Sequence, residues 1–168
     1  MMTMQSPIVP FDTRSFRDSL GKFTTGVTLV TTQSDKGDMG ILVNSFASVS
    51  LKPPLVLWSI DKSSKRRAAF EAAERTAIHI LADAQRNDCM GFTKDAFGFG
   101  GLTLADNPGG PPLVEGCLTR FECEPYATYE AGDHIIFISR VVNLTTRDAS
   151  PMVFFNGAFG TLSTADDQ

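Results

Sequence analysis

The 168-residue chain is poor in the side chains that most often do chemistry near neutral pH. It has two histidines, three cysteines, one tryptophan and two tyrosines. Histidine is the side chain whose ordinary pKa lies in that range. A His-rich metal cluster is therefore excluded, no metal site is expected, and an acid–base relay has few members to draw on. Cys89, Cys117 and Cys123 are odd in number and show no Cys-x-x-Cys spacing, which argues against a disulfide framework or a zinc knuckle. Positive charge is also scarce: 15 Lys and Arg against 19 Asp and Glu give a net charge of −4 and a pI near 5.1. Nucleic-acid binding calls for a basic face, so none is expected, and an anionic ligand must find a local basic cluster. No apolar run approaches the roughly 18 residues of a membrane span. Met1 to Phe11 lacks the basic and apolar regions of a secretory signal. A soluble, cytoplasmic protein is expected. Walker A, Gly-x-Gly-x-x-Gly and Gly-x-Ser-x-Gly signatures are missing as well.

Phenylalanine, glycine and proline are plentiful, at 13, 14 and 9 residues. That mixture suits a turn-rich β fold better than a helical bundle. The length fits one domain, expected over residues 11–162, with flexible ends at 1–10 and 163–168. Asp12 or Thr13 can cap a helix whose apolar face is Phe16, Leu20 and Phe23. Val27 to Gln33 and Met39 to Leu51 read as extended segments of a hairpin joined by the polar turn 34–38. After Lys52-Pro53-Pro54, the apolar run Leu55 to Ile60 reads as a buried strand. Ser63 to Ala73 is alanine-rich and reads as helix. Thr76 to Ala82 returns to strand, Asp83 to Phe92 to a short helix, and Thr93 to Pro112 to a long loop. Cys117 to Pro125 alternates with the period of a half-exposed strand. Ile135 to Val142 and a last strand, Met152 to Phe155, follow. About seven strands with two or three helices predict a closed, mainly β barrel with helical decoration.

Three segments offer chemistry. In Asp61-Lys62-Ser63-Ser64-Lys65-Arg66-Arg67, a serine N-cap and three cations stand at a helix start, where the dipole prefers negative charge. The arrangement makes sense around a phosphate, or as a plain capped helix with solvated cations. In Gly40 to Ser50, the polar Asn44, Ser45, Ser48 and Ser50 interrupt an apolar stretch. They could address the edge of a planar ring, face water from an ordinary strand, or mark a bulge near Ser48. The third is Gly132-Asp133-His134, a histidine just after a turn. His79, inside an apolar strand, reads as structural.

In order along the chain, these segments resemble the short-chain flavin reductase family, whose fold is the FMN-binding split barrel. The likeness runs through Phe16-Arg17-Asp18-Ser19-Leu20-Gly21, Thr25-Gly26-Val27-Thr28 and Gly40 through Leu57 with its Asn-Ser-Phe-x-Ser-Val-Ser-Leu-x-Pro-Pro-Leu core. It continues through Lys62-Ser63-Ser64, Gly132-Asp133-His134 and Phe155-Asn156-Gly157-Ala158-Phe159-Gly160. The resemblance implies an NAD(P)H-dependent reductase that passes hydride to FMN or FAD and supplies a partner flavin-dependent monooxygenase. A flavin-binding electron-transfer or storage module without NADH or NADPH turnover is the other reading. The resemblance also implies a homodimer. Val43, Asn44, Ser45 and Ser48 would line the flavin ring and ribityl chain, and Asp61, Lys62, Ser63, Ser64 and Arg67 the phosphate. His134 would lie at the nicotinamide as the catalytic residue, and Phe155 and Phe159 near the site. Lys65-Arg66-Arg67 is more basic than the family pattern requires.

Overall fold

The computed structural model describes residues 10–162; of the flexible ends expected at 1–10 and 163–168, residues 1–9 and 163–168 lie outside them. Helix α1 (Thr13–Leu20) opens the fold, and the Asp12 carboxylate caps it by accepting from the Ser15 N–H at 2.6 Å. A short β1 (Thr25–Gly26) precedes the hairpin of β2 (Thr28–Ser34) and β3 (Gly37–Val43). Gly37 takes φ 110°, a left-handed geometry that the tight turn needs and glycine supplies without steric cost. Next come β4 (Ala47–Leu51), β5 (Pro54–Asp61), α2 (Arg67–Glu71) and β6 (Thr76–Ile80). A run of 3-10 and α turns around α3 (Arg86–Cys89) leads into the long loop, which contains only β7 (Leu104–Ala105) and β8 (Leu113–Val114). Two 13-residue strands, β9 (Thr119–Ala131) and β10 (His134–Thr146), and a final hairpin of β11 (Met152–Phe155) and β12 (Ala158–Thr161) complete it.

Seven strands form one antiparallel sheet in the order β3-β2-β6-β9-β10-β5-β4. Its edge strands, β3 and β4, are separated by only Asn44, Ser45 and Phe46 in sequence. Four peptide steps span at most about 14 Å, so the two edges must come together and the sheet curls into a barrel. Ser45 fastens the seam: its hydroxyl donates to the Ser59 carbonyl at 3.2 Å and accepts the Ser59 N–H at 2.9 Å. The barrel interior holds Val30, Trp58, Ile60, Ile78, Ile135 and Phe137, with Phe70 of α2 closing one end. A second core, including Leu29, Leu81, Phe92, Val114 and Met152, lies under the loop and the final hairpin. Strand β2 separates the two, with Leu29 in one and Val30 in the other, which is why five consecutive residues of it are buried.

Several expectations need correction. Met39 to Leu51 is not one extended strand but β3 and β4 on opposite edges of the sheet. The helix predicted over Ser63 to Ala73 shrinks to five residues: Arg66 occupies its N-cap without a side-chain bond, and Ser63 and Ser64 sit in the preceding turn. Strand β9 runs through Pro125, because a bulge there, where Ser139 pairs with Pro125 and Ile138 with Ala127, frees the position from the ladder. A further strand, β12, follows Phe155. Its signal is the Asn156-Gly157 turn, whose φ values of 50° and 81° fit a two-residue hairpin connection. The bulge near Ser48 is present, between Ser48 and Ser50. Helix α1 ends at Leu20, so Phe23 lies beyond it rather than on its expected apolar face, and the three apolar side chains are exposed, Phe16 at 50%, Leu20 at 59% and Phe23 at 77%. No helix among the described residues is long and apolar enough to cross a membrane.

Candidate active site

The antiparallel register of β5 and β10 places His134 directly opposite Asp61. Both strands end there, so their two turns meet, and the Lys62 N–H donates to the Asp133 carbonyl at 2.9 Å. Gly132 begins the β9–β10 turn at φ 59°. The seam between β3 and β5 opens beside this corner into a cleft of about 260 Å³. Val43, Asn44, Ser45, Asp61, Ser64 and His134 line it, six of the residues singled out from sequence. An apolar cavity of about 220 Å³ adjoins along Leu42, Val43 and Asn44, and is walled by Val27, Thr93, Phe154 and Phe159. A third, of about 410 Å³, adjoins at Asn44 and Phe154 and reaches α1 and the Asn156-Gly157 turn. Asn44 lines all three, so they form one groove with three lobes.

The hydrogen bonding sorts these side chains by what they still offer. The Asp61 carboxylate accepts the Ser63 N–H at 2.7 Å and the Ser63 hydroxyl at 2.6 Å. Those bonds hold its pKa below the ordinary carboxylate value, with His134 adding to the effect. Asp61 and Ser63 thus build the turn. The Ser64 hydroxyl accepts the Arg66 N–H at 3.3 Å and keeps its own hydrogen for the cleft. Ser45 spends its hydroxyl on the barrel seam and faces the cleft through backbone groups. Asn44 is exposed, and its side-chain amide makes no hydrogen bond to the described residues. His134 stands partly exposed, with Nδ1 2.7 Å from the Asp133 carboxylate. The bond lowers the Asp133 pKa. Nδ1 donates in it, which leaves Nε2 of the neutral ring as an acceptor.

The remaining predicted site residues are placed elsewhere. Lys62 pairs with Glu130 at 2.9 Å and Arg67 with Glu71 at 3.4 Å, both at the surface. Ser48, Lys62, Ser63, Arg67 and Phe155 line none of the three lobes, whereas Phe159 lines the apolar one. Arg66 is turned inward and donates to the Phe92 carbonyl at 2.8 Å, tying the start of α2 to the 3-10 turn that follows α3. The aromatic from β11 that reaches the groove is Phe154, with its ring 5.2 Å from that of Phe159. Strand alternation is the sequence signal for it: Phe154 shares a face with Met152, which is fully buried, and Phe155 points the other way. Thr93, Arg17 and Asn156 also line the groove and carry no comparable signal.

His79 has no part in the groove. It is fully buried, its Nδ1 2.9 Å from the Leu29 carbonyl and its Nε2 accepting the Val114 N–H at 3.0 Å. Accepting at Nε2 makes Nδ1 the protonated, donating nitrogen, so the ring is neutral and bridges two chain segments. Burial pushes its pKa down to about 4. Among the described residues no group of three or more His, Cys, Asp or Glu is arranged to hold a metal ion.

Fold and groove together define a small antiparallel barrel whose seam presents an amide, a hydroxyl and an imidazole to an elongated, partly apolar ligand. Residues 20–163 match the flavin reductase like domain. The chain belongs to that family. It is 48% identical over 152 residues to the FMN reductase (NADH) SmoA of Agrobacterium fabrum, covering 90% of this chain and 87% of that one. It is 36% identical over 150 residues to the reductase subunit HsaB of a Rhodococcus jostii flavin-dependent monooxygenase, covering 88% and 77%. The NADH:FAD oxidoreductase SgcE6 of Streptomyces globisporus, solved with NAD and FAD fragments, superposes with a TM-score of 0.86. Its identity is 31%, covering 97% of this chain and all of that one.

Proposed function

We propose that this protein is an NAD(P)H-dependent flavin reductase that passes hydride to FMN or FAD and supplies reduced flavin to a partner monooxygenase. The observation that carries the reading is the convergence of Asn44, Ser64 and His134, each with hydrogen-bonding capacity to spare, on one cleft beside an apolar lobe. A flavin fits this chemistry: apolar walls for the ring, amide and backbone groups for its polar edge, and a hydroxyl with nearby cations for the phosphate. Flavin and nicotinamide, when bound, would supply the redox chemistry of hydride transfer, and the residues of this groove would hold them side by side.

The protein's share is binding, orientation and exclusion of water. Asn44 and the backbone of Val43 and Ser45 hold the ring edge. The Ser64 hydroxyl donates to the phosphate, with Lys62 and Arg67 within the same turn and helix as mobile countercharges. Their present ion pairs are exposed and weak, so an anion can draw them away. Asp61 and Ser63 support that turn from behind. His134, held by Asp133, accepts from the nicotinamide carboxamide at Nε2 and fixes its face. Phe159 with Phe154 closes the apolar lobe. Ser48 and Phe155, which line no lobe, act from the margin or from a second copy.

A homodimer is supported by the exposed apolar face of α1 and by Val142 and Leu144, exposed at 51% and 55% on one face of β10. A cytoplasmic setting is supported by three cysteines that are buried and unpaired. The test is NADH and NADPH oxidation followed with FMN or FAD added. The expected result is turnover well above the protein-free rate, with His134→Ala raising the KM for the nicotinamide about tenfold and leaving the flavin Kd unchanged. No oxidation with either nicotinamide and either flavin would overturn the reading, and unchanged nicotinamide kinetics in His134→Ala would remove that residue's role.

A further inference from the structure

Trp58 carries a donor that its own chain leaves unpaired. The residue is 1% exposed, and its Nε1–H, wholly buried, bonds to no described residue. Buried donors are nearly always paired with protein or with ordered water, because an unmade bond costs the full loss of hydration. The indole is held where it stands: Phe137 stacks on it with ring centres 4.7 Å apart, and Phe70 of α2 meets it in a T-shaped arrangement at 5.1 Å. A partner must therefore come to the ring.

Trp58 lines a cavity of about 30 Å³ at the end of the barrel that α2 covers, and this cavity shares no lining residue with the three lobes of the groove. The bulge between β9 and β10 makes the room. Tyr126 is the extra residue there, left out between the Ser139–Pro125 and Ile138–Ala127 pairs, so β9 bends locally. Two further polar groups line the cavity, the hydroxyls of Thr76 and Ser139, in residues 7% and 5% exposed, and neither bonds to a described residue. Ser139 lies two positions beyond Phe137, the residue opposite Trp58, so the two are diagonal neighbours about 7–8 Å apart on one face, and one small molecule can touch both. The indole offers only a donor and the hydroxyls offer both roles, so the occupant must accept and can also donate. A donor-only indole disfavours a cation, and the Glu71 carboxylate on the wall, paired with Arg67, disfavours an anion. The volume admits one or two waters, each needing roughly 10–15 Å³, and nothing larger. We propose that this cavity binds an ordered water that accepts from Trp58 Nε1 and bonds the hydroxyls of Thr76 and Ser139, fastening β5, β6 and β10 to one another beneath α2. Three bonds are what a buried water typically makes.

The test uses the fact that Trp58 is the sole tryptophan, so the isotope-labelled protein gives a single indole N–H resonance. The expected result is an Overhauser cross-peak from that proton to a long-lived water. A high-resolution crystal structure of the wild type is expected to show water density within about 3.2 Å of Trp58 Nε1, Thr76 Oγ1 and Ser139 Oγ. In the double variant Thr76→Val, Ser139→Ala, which removes two partners and little volume, the cross-peak is expected to disappear. If that variant does not fold, Ser139→Ala alone is expected to weaken the cross-peak several-fold, and the two wild-type measurements stand by themselves. An indole N–H that points at the Phe70 ring, with no water cross-peak and no density beside Nε1, overturns the proposal. A cross-peak without that density comes from the hydroxyl protons alone and overturns it too. An equally strong cross-peak in the folded double variant removes Thr76 and Ser139 as partners and with them the site as drawn. None of these readouts depends on flavin reduction.

Discussion

His79 makes the fold sensitive to acid in a way that can be worked out beforehand. The ring is fully buried and neutral, with a pKa pushed down to about 4 from an ordinary 6.5. The unfolded chain therefore takes up a proton below pH 6.5 that the native protein refuses until about pH 4. Stability is at its full value above pH 6.5, falls as pH drops between those two values, and levels off below. One pKa unit is worth about 1.4 kcal/mol, so the whole loss is roughly 3 kcal/mol, of which about 2 falls between pH 7 and pH 4.5. That is a large part of the roughly 5–15 kcal/mol that holds an ordinary domain together. The assay is urea unfolding at pH 7 and pH 4.5 at fixed protein concentration, read by the fluorescence of Trp58. This sole tryptophan is buried against Phe137 in the barrel core. Exposed carboxylates such as Asp61 and Asp133, whose folded pKa values are lowered, also lose stability towards acid and must be subtracted. His79→Gln does this, since an amide can bond both Leu29 and Val114 but cannot titrate. The variant is expected to lose about 2 kcal/mol less than wild type between the two pH values. An identical acid-side loss in both proteins would refute the account of a buried neutral histidine.

Two further outcomes test the scaffold. A Cβ at Gly98 would stand 2.7 Å from the Gly91 carbonyl carbon and 2.8 Å from the Phe92 nitrogen, whereas at Gly100 it would meet nothing within 4 Å. Gly98→Ala is therefore expected to cost about 1–3 kcal/mol in urea unfolding and Gly100→Ala much less; equal midpoints would refute the close packing of the loop. Cys89 and Cys123 are buried, with pKa values raised to about 11 and about 12, and Cys117 is buried and shifted in the same direction. A thiol reagent at pH 8 should leave all three unreacted in the native protein and modify all three in urea. Rapid labelling of one of them without denaturant would show that its surroundings open.

Local chemistry was legible wherever it depended on neighbours in sequence. Asp12 caps α1 as its position suggests, the polar turn at 34–38 closes the first hairpin, and the apolar run before Asp61 is a buried strand. The bulge near Ser48 is one of the alternatives that the polar residues of that apolar stretch left open, and the register of β4 with β5 selects it. Segments were misread where a distant partner decided the outcome. Met39 to Leu51 looks uniformly extended, yet the barrel seam cuts it at Asn44 and sends its halves to opposite edges. Alanine-rich Ser63 to Ala73 favours helix throughout, but Asp61 takes both the Ser63 N–H and its hydroxyl and keeps the first residues in a turn. The placement of cations at a helix start is therefore not the feature that suits this corner to an anion.

The candidate site shows the same division. His134, Asn44 and Ser64 could be named from the order of their motifs, but not sorted by what each has left to offer. Ser45 and Ser64 are both serines in polar stretches. One is spent on the barrel seam and the other keeps its hydrogen for the cleft. Phe154 rather than Phe155 reaches the groove because β11 turns alternate side chains to opposite faces.

The sequence by itself pointed to a mainly β fold with few titratable side chains, and the order of its motifs carried the resemblance to the flavin reductases, which implies redox chemistry delegated to bound nucleotides. Those properties follow from composition, periodicity and motif order, which are written along the chain. Only the tertiary structure decided that His134 faces Asp61, that Asn44 joins three cavities, and that Arg17 and Asn156 share a lobe. Each of these depends on strand register and on the closing of a barrel, in which residues tens of positions apart meet because the two edges of one sheet must find each other.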